Sequence, residues 1–481
     1  MKALARFALW VMVPVLLAQG RPPEVLWTRT YGGLDDDIGN CVQQTRDGGY
    51  VILGTKNWFW ESSGDILLIR TNANGDTLWT RTYGGGNYDF GASVQQTSDD
   101  GFIVCGTSGS GGAGGWDILL VKTDEEGNTQ WTQTYGGTSW EEGHCVQQTS
   151  DGGYVIVGNS CSFGGCDWDL YLIRTDDQGR EIWSRVYELY GNYWEFGRGV
   201  RQTSDGGFIV VGEAAVFTDS YDVLLIRTNA RGDTLWTKTY GEADDRGNSI
   251  EMTSDGGYII AGESWFMEGH LYLIRTNSHG DTLWTRKFNG GYHSWGYNAQ
   301  QTLDGGFIAA GWASGPGDNW DIYVVKTDAN GDSTWTRKIG GNFREEGHWI
   351  QQTSDGNYII TGFTQADSGG DSDIWLVCLD HETLVDGDFS SYQPDEFKLN
   401  APYPNPFNST TVISYEVPIA CLINISVYNV LGQSVATLVH ESVNPGSHSV
   451  VWKARDIPSG VYFCKMEGNG FEQVHKIVLL K

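Results

Sequence analysis

The sequence has little positive charge, no long apolar run beyond its first twenty residues and no helical periodicity. Lysine and arginine number 31 against 60 acidic residues, giving a formal net charge of -29. Such a surface repels a phosphate backbone, which argues against nucleic acid as a partner. A membrane-spanning helix needs roughly 20 consecutive apolar residues, and past residue 20 no stretch approaches that, so no transmembrane segment is expected. HExxH, GxSxG and Cys/His signatures are missing as well; the expectation is a non-enzymatic protein. Cysteine is sparse, with eight residues, too few for a dense disulfide framework. Cys161 with Cys166, in NSCSFGGCDW, and Cys421 with Cys464 are the candidate pairs.

What is abundant points to strands and turns. Glycine stands at 66 of 481 residues and aromatics at 13%, the glycine at about twice ordinary usage. Residues 1–20 read as a signal peptide: Lys2 and Arg6 supply a positive start, Phe7 to Ala18 an apolar run, and Ala18-Gln19-Gly20 a small-x-small cleavage site. Export fits the modest cysteine content of an oxidising compartment.

The octet LWTRTYGG at residues 26–33 returns unchanged at 78–85, and its tryptophan recurs at Trp27, Trp79, Trp131, Trp183, Trp236, Trp284 and Trp335. An SDGG-type turn recurs with it, at 46, 98, 150, 204, 254, 303 and 354. Repetition at a fixed period decides architecture before any local reading. Each unit divides into four short strands, in the second unit ASVQQT (92–97), GFIVCGT (101–107), DILLVKT (117–123) and TQWTQTY (129–135). The Asp-Gly between the first two predicts a tight primed hairpin turn. Four antiparallel strands repeated about every 50 residues make a propeller blade. The expected fold is all-β, a seven-bladed propeller over residues 21–380. The last unit lacks a W-T-x-T strand, and the unpartnered one lies at 26–31, so the N-terminal strand is expected to complete the last blade and close the ring. The units resemble bacterial β-propeller repeats of the W-x-x-x-Y-G-G … D-G-G-Y type over 26–380. That resemblance implies architecture and no particular activity.

In such a ring the SDGG and NANGD turns share one face, and loops that vary between units share the other. The variable loops carry the candidate ligand-binding aromatics Trp58, Trp60, Trp140, Tyr193, Trp194, Trp265, Tyr292 and Trp295. Flat rings beside carboxylates suit a glycan or a protein hot spot; packing over the blade tops is the structural alternative. An acid precedes the first strand in six units, Asp37, Asp89, Glu141, Glu195, Asp245 and Glu345, with Ser294 the exception. A second series, Asp65, Asp117, Asp169, Asp222, Asp321 and Asp373, precedes the third strand, with His270 the exception. The first series forms a candidate carboxylate ring that could hold Ca2+, although near-universal presence is also what a structural hydrogen bond to loop amides predicts. No other cofactor is expected. Glu141/Glu142 and Glu345/Glu346 are the pairs a polysaccharide-active hydrolase would need, and His144 and His348 hold matching positions in the third and seventh units. A purely structural surface protein is the remaining alternative.

Residues 381–397 read as a linker, and 398–481 as a small β-sandwich of alternating strands. This tail resembles the C-terminal sorting domain of bacterial type IX secretion cargo, related to an immunoglobulin-like module, through YPNPFN (403–408), VYNVLGQSV (427–435), PSGVYFCK (458–465) and KIVLLK (476–481). The resemblance implies recognition by the type IX secretion machinery and a secreted or cell-surface location at the outer membrane exterior. The protein is expected to act as a monomeric binding or adhesion module.

Overall fold

The strands of each unit are short because glycine-bearing turns interrupt them every seven or eight residues, and antiparallel neighbours then pair through hairpins. The computed structural model describes residues 22–57, 64–163, 168–189, 193–217, 220–242, 244–266, 268–315, 319–365, 370–381, 397–400, 402, 405, 407, 410–443, 446–454 and 457–479. These residues contain strands in nine antiparallel sheets and no helix. Residues 1–20, read above as a signal peptide, and most of 381–397, read as a linker, lie outside them.

Seven four-stranded sheets occupy Val25 to Leu379. Six are consecutive in the chain; the second, for example, contains Asp89–Gln96, Phe102–Ser108, Asp117–Thr123 and Thr129–Tyr135. The seventh is built from both ends of the region: Glu345–Gln352, Tyr358–Gln365 and Ser372–Leu379 are completed by Val25–Tyr31, antiparallel to Ser372–Leu379. The N-terminal strand thus lies where its missing counterpart in the last unit requires it. Middle strands are buried on both faces, every residue of Phe102–Ser108 and Asp117–Thr123 included, whereas Thr129–Tyr135 alternates as an edge should. Apolar cores therefore sit between neighbouring sheets. One joins Val51, Leu53, Ile66 and Leu68 to Val94, Phe102 and Val104; another joins Val42, Ile52 and Ile69 of the first sheet to Ile359, Ile374 and Leu376 of the seventh.

The turns correct one expectation. A primed turn would need positive φ at both central residues, but in RDGG only Gly48, at φ 90°, is left-handed. Gly48 N–H donates to the Thr45 carbonyl and Thr45 N–H to the Gly49 carbonyl, a three-residue loop that ends in a left-handed residue. The second unit puts Asp100 in that position at φ 67°. The Asp of each turn accepts from its threonine neighbour and, in the first six sheets, from a buried cation on the third strand, as in Arg70–Asp47 at 2.5 Å, Arg275–Asp255 at 2.5 Å and Lys326–Asp304 at 2.7 Å; in the seventh sheet Cys378 takes the cation's place.

The repeated motif itself is a staple between sheets. In WTRTYGG-type strands the tryptophan packs against the left-handed glycine of the next sheet's outer turn, Trp27 on Gly75 and Trp79 on Gly127, leaving no room there for a Cβ. The tyrosine hydroxyl donates to that glycine's carbonyl, Tyr31 to Gly75 at 2.6 Å and Tyr83 to Gly127 at 2.8 Å. The recurrent Gln-Gln is a second staple: Gln96 N–H donates to Gln43 Oε1 at 2.6 Å, and Ser98 N–H to Gln148 Oε1 at 2.8 Å. Between first and seventh sheets the same bonds recur, Gln44 N–H to Gln351 Oε1 at 2.7 Å and Ser354 N–H to Gln44 Oε1 at 2.8 Å. Where the fourth and fifth sheets replace glutamine, Arg201 and Glu251 pair instead, Nε to Oε2 at 2.9 Å.

In the tail, Lys398–Leu399, Thr410–Val417 and Gly446–Lys453 form one sheet, and Cys421–Asn429, Ser434–Val443, Gly460–Gly468 and Phe471–Leu479 the other. Both contribute to one core, Ile413, Tyr415 and Trp452 from the first and Ile425, Cys464 and Ile477 from the second. The YPNPFN motif anchors the last strand: Phe407 is buried in this core, and Asn405 Oδ1 accepts from Val478 N–H at 2.7 Å. The expected Cys421–Cys464 disulfide does not form. Both are free thiols, because Cys464 pairs in register with Val427 and six residues of strand, roughly 20 Å, separate Val427 from Cys421.

Two outcomes follow. Deleting residues 21–32 removes a strand of the seventh sheet and its staple to the first, so the repeat region melts at lower temperature in one cooperative transition; melting like the intact protein by near-UV circular dichroism would contradict this. Asp100→Gly relieves a left-handed aspartate and raises stability by about 0.5–1 kcal/mol in urea denaturation, since the exposed Arg46–Asp100 pair it removes is worth little.

Candidate functional site

The first strand of each sheet begins earlier than alternation suggests and contains a β-bulge. In the second sheet the register shifts between Gly91 and Ser93, and the shift recurs after Gly39, Gly143, Gly197, Gly247, Gly296 and Gly347. A bulge leaves one residue unpaired and re-aims its side chain. The bulge residues are Asn40, Ala92, His144, Arg198, Asn248, Tyr297 and His348, and all seven line one cavity of about 1120 Å³. Each therefore brings a different chemistry to the same height in the wall.

Several bulge residues reach the next sheet. Asn40 Nδ2 donates to the Gly91 carbonyl at 2.7 Å and Asn248 Nδ2 to the Gly296 carbonyl at 2.8 Å. His348 Nδ1 lies 2.9 Å from the Gly39 carbonyl, which fixes the proton on that nitrogen, and its Nε2 lies 3.2 Å from Glu346 Oε2. The Tyr297 hydroxyl donates to the same oxygen at 3.2 Å. Burial, reinforced by the Glu346 charge, drives the Tyr297 hydroxyl well above its ordinary pKa.

The wall is asymmetric. On the third to fifth sheets it is charged: Arg198 Nη2 donates to Glu213 Oε1 at 2.8 Å, Arg198 Nη1 lies 3.3 Å from His144 Nε2, and Asn159 Nδ2 lies 2.9 Å from that nitrogen. Burial and the neighbouring Arg198 charge hold His144 below its usual pKa despite Glu142. Arg246 grips more loosely, 3.6 Å from Glu263 and 3.7 Å from Asp244. Glu263 is 2% exposed and its Oε2 accepts no hydrogen bond. An unmade bond at a buried acceptor costs about 1–3 kcal/mol. Burial pushes the Glu263 carboxyl up to about 7, with the push of Glu213 and Asp244 and against the pull of Arg246 and of a hydrogen bond from Trp265. On the sixth and seventh sheets the wall is aromatic. Trp295 lies 5.1 Å from Trp312, Trp312 stacks on Trp320 at 4.2 Å and 9°, and the Arg344 guanidinium covers Trp320 at 3.6 Å.

The candidate aromatics divide. Trp265 and Trp295 line the cavity, 5.7 Å apart. Trp140, Trp194 and Tyr292 are exposed outside it, Trp140 against Trp116 and Trp194 edge-on to Phe196. Tyr193 is half-buried. Trp58, Trp60 and Cys166 lie outside the described residues, so the Cys161–Cys166 pairing is not described.

The carboxylate series is buried and turned onto loop backbone. Asp37 accepts from Asn57 N–H at 3.1 Å, Asp89 from Gly85 at 2.7 Å, Glu141 from Gly137 at 2.8 Å, Asp245 from Glu242 at 2.9 Å and Glu345 from Gly341 at 3.1 Å. Glu195 is equally buried. Ser294, the exception, makes the same bond through its hydroxyl, accepting from Gly290 N–H at 2.6 Å, which marks the position as a loop acceptor. Among the described residues no group of three or more His, Cys, Asp or Glu side chains is placed to hold a metal ion. The second series faces the first across sheet boundaries. Burial and the neighbouring carboxylate raise Asp65 beside Asp89 and Asp222 beside Asp245, and burial first, then Asp373, raises Asp37.

Sequence reasoning missed Arg198, Glu213, Arg246 and Glu263 as site residues. The signal was available: the residue after the first strand's glycine runs Asn, Ala, His, Arg, Asn, Tyr, His, and the one after the second strand's glycine runs Thr, Thr, Asn, Glu, Glu, Trp, Phe. Both positions vary inside an otherwise repetitive frame.

The molecule is thus an all-β repeat protein of four-stranded antiparallel sheets with a separate β-sandwich tail. Residues 401–480 match the family of secretion system C-terminal sorting domains, so the protein is secreted or displayed at the cell surface. No curated protein sequence is similar to it. Among solved structures it is similar to PorZ, a surface component of the type IX secretion system of Porphyromonas gingivalis, at 11% identity and TM-score 0.42 over 90% of this chain and 58% of that one. It is also similar to the β-propeller domain of the Trilobed protease from Pyrococcus furiosus, at 9% identity and TM-score 0.42 over 75% of this chain and 99% of that one. Puromycin hydrolase matches at 11% identity and TM-score 0.46 over 83% of this chain and 62% of that one.

Because the folded pKa of Glu263 is raised, its protonated form is favoured by folding. Stability it confers below about pH 4.5 is lost as pH rises through about 7. Glu263→Gln should therefore flatten the fall in melting temperature between pH 5 and 8, and leave the variant the more stable protein at the alkaline end; a parallel pair of curves would contradict the assignment.

Proposed function

We propose that the seven four-stranded sheets are the blades of one closed propeller and that the protein is an exported, non-enzymatic binding or adhesion module whose ligand, a glycan or a protein segment, enters the cavity at the ring's centre. The observation that carries this reading is the contrast between constant staples and variable bulges. Residues that join sheet to sheet repeat around the ring, whereas the seven bulge residues in the cavity wall differ in charge, size and polarity. A scaffold alone gains nothing from burying Glu213 and Glu263 there beside a half-buried Arg198, because buried charge costs stability unless paired. The cavity matches ligand sites in size and in its few convergent polar groups on an apolar wall. Closure is supported by the Val25–Tyr31 strand in the seventh sheet and by the Gln44–Gln351 and His348–Gly39 contacts.

Trp140, Trp194 and Tyr292 extend the contact surface outside the cavity. Two observations support binding over hydrolysis. Glu141 and Glu345, first members of the candidate carboxylate pairs, are committed to loop amides, and Glu346 is shared by Tyr297, His348 and Arg344. The tail delivers the module to the type IX secretion machinery.

The mature full-length protein should bind on an array of glycans and peptides, and an Arg198→Ala variant with His144→Ala should lose that signal. Binding kept by this variant and lost with Trp140→Ala and Trp194→Ala would move the ligand out of the cavity.

A further inference from the structure

Within that cavity reading, on which this inference rests, the wall between the fifth and sixth sheets has the most specific chemistry. The two sheets meet closely at Gly262 and Gly296: a Cβ on Gly296 would lie 2.8 Å from the Gly262 carbonyl. Glu263 follows the first glycine and Trp295 precedes the second, so both stand beside that junction. Trp265 lies next to the Glu263 carboxyl and 5.7 Å from Trp295, and Trp312 stands 5.1 Å from Trp295 on its other side. Four polar atoms of this wall lack hydrogen-bond partners: Glu263 Oε2, an acceptor, and Arg246 Nε, Trp295 Nε1 and Trp312 Nε1, all donors.

We infer that this wall takes a neutral, polyhydroxylated ring, a pyranose residue of a glycan, stacked on Trp295 with its hydroxyls on Glu263 and Arg246. The mixture of orphaned groups decides the class. An organic cation satisfies the carboxylate but meets Arg246 and Arg198; an anion satisfies the donors but meets Glu263, Glu213 and Asp244. A hydroxyl both donates and accepts, and several on one ring serve the acceptor and the donors alike. The C–H face of a pyranose is apolar and suits an indole wall. Glu263, which titrates near neutrality, can accept from a hydroxyl or donate to one. The orphaned atoms are shut off from solvent in the free protein, and Arg246 is the side chain that moves to admit the sugar: it is 35% exposed and held by ion pairs no shorter than 3.6 Å.

The test uses the mature full-length protein, whose wall tryptophans report by fluorescence, with saturation-transfer NMR as a second readout. The probes are methyl pyranosides of glucose, mannose, galactose and N-acetylglucosamine, with tetramethylammonium and benzoate as the cation and the anion. At least one pyranoside should bind at millimolar concentration, and tetramethylammonium and benzoate should not. Glu263→Leu keeps the side chain's bulk without its oxygens, and Trp295→Phe keeps a ring without the indole N–H; each should weaken that pyranoside about tenfold, while Leu431→Ala, at an exposed residue of the tail, leaves it unchanged. Binding of tetramethylammonium or benzoate that depends on Glu263 or Arg246 overturns the sugar assignment and leaves the cavity reading standing. Pyranoside binding indifferent to both wall variants, or no response to any pyranoside, also overturns it.

Discussion

The structure depends on hydrogen bonds and ring contacts that run across sheets. A four-stranded sheet of this size buries too little apolar surface to stand alone, and its middle strands are apolar on both faces. Every sheet must be covered by two neighbours, which the staples arrange: tryptophan on a turn glycine, tyrosine hydroxyl on that glycine's carbonyl, and glutamine amide oxygens on the next sheet's backbone. The same glycine serves twice, because only a residue without a Cβ allows both the left-handed turn and the approach of the indole. The N-terminal strand is held by these contacts on one side and by pairing with Ser372–Leu379 on the other.

Once the staples have fixed the frame, the bulge after each first-strand glycine is the place where chemistry can change without disturbing it. The residue there is out of the ladder, so histidine, arginine, tyrosine or alanine can occupy it at little cost to pairing. Variation at this position accumulates in one shared space. The result is a wall charged on one side and aromatic on the other, built from a sequence that elsewhere repeats itself. The buried Glu263 and the loosely held Arg246 are the groups that depart furthest from what a self-sufficient interior would contain.

Much of the fold was legible. Period-two patterning and turn residues marked the strands, and counting strands put the N-terminal segment beside the last unit. The starts of the first strands were not legible, because the bulge breaks alternation and ASVQQT looks like a beginning when the strand already runs from Asp89. The turn type was misread for a related reason. Asp-Gly signals positive φ, but sequence does not say whether one residue or two adopt it. The site was legible only in part. Exposed aromatics drew attention to the loops, and of these Trp265 and Trp295 reach the cavity while Trp140, Trp194 and Tyr292 do not. For the repeated acids the sequence offered both a calcium ring and a structural hydrogen bond to loop amides; the structure turns them onto loop amides, and the serine that substitutes for one makes the same bond.

Local chemistry is written in the order of residues: the strands, the hairpins, the sorting tail and the number of units all follow from short-range pattern. Which side chains face one another across units does not, because that depends on a register shift of a single residue and on contacts between positions about 50 or, for Gln44 and Gln351, 307 residues apart. Only the tertiary structure brought seven scattered bulge residues to one wall and left Glu263 buried there without a partner for Oε2. Burial and electrostatic coupling are properties of that assembled wall, and no single unit possesses them.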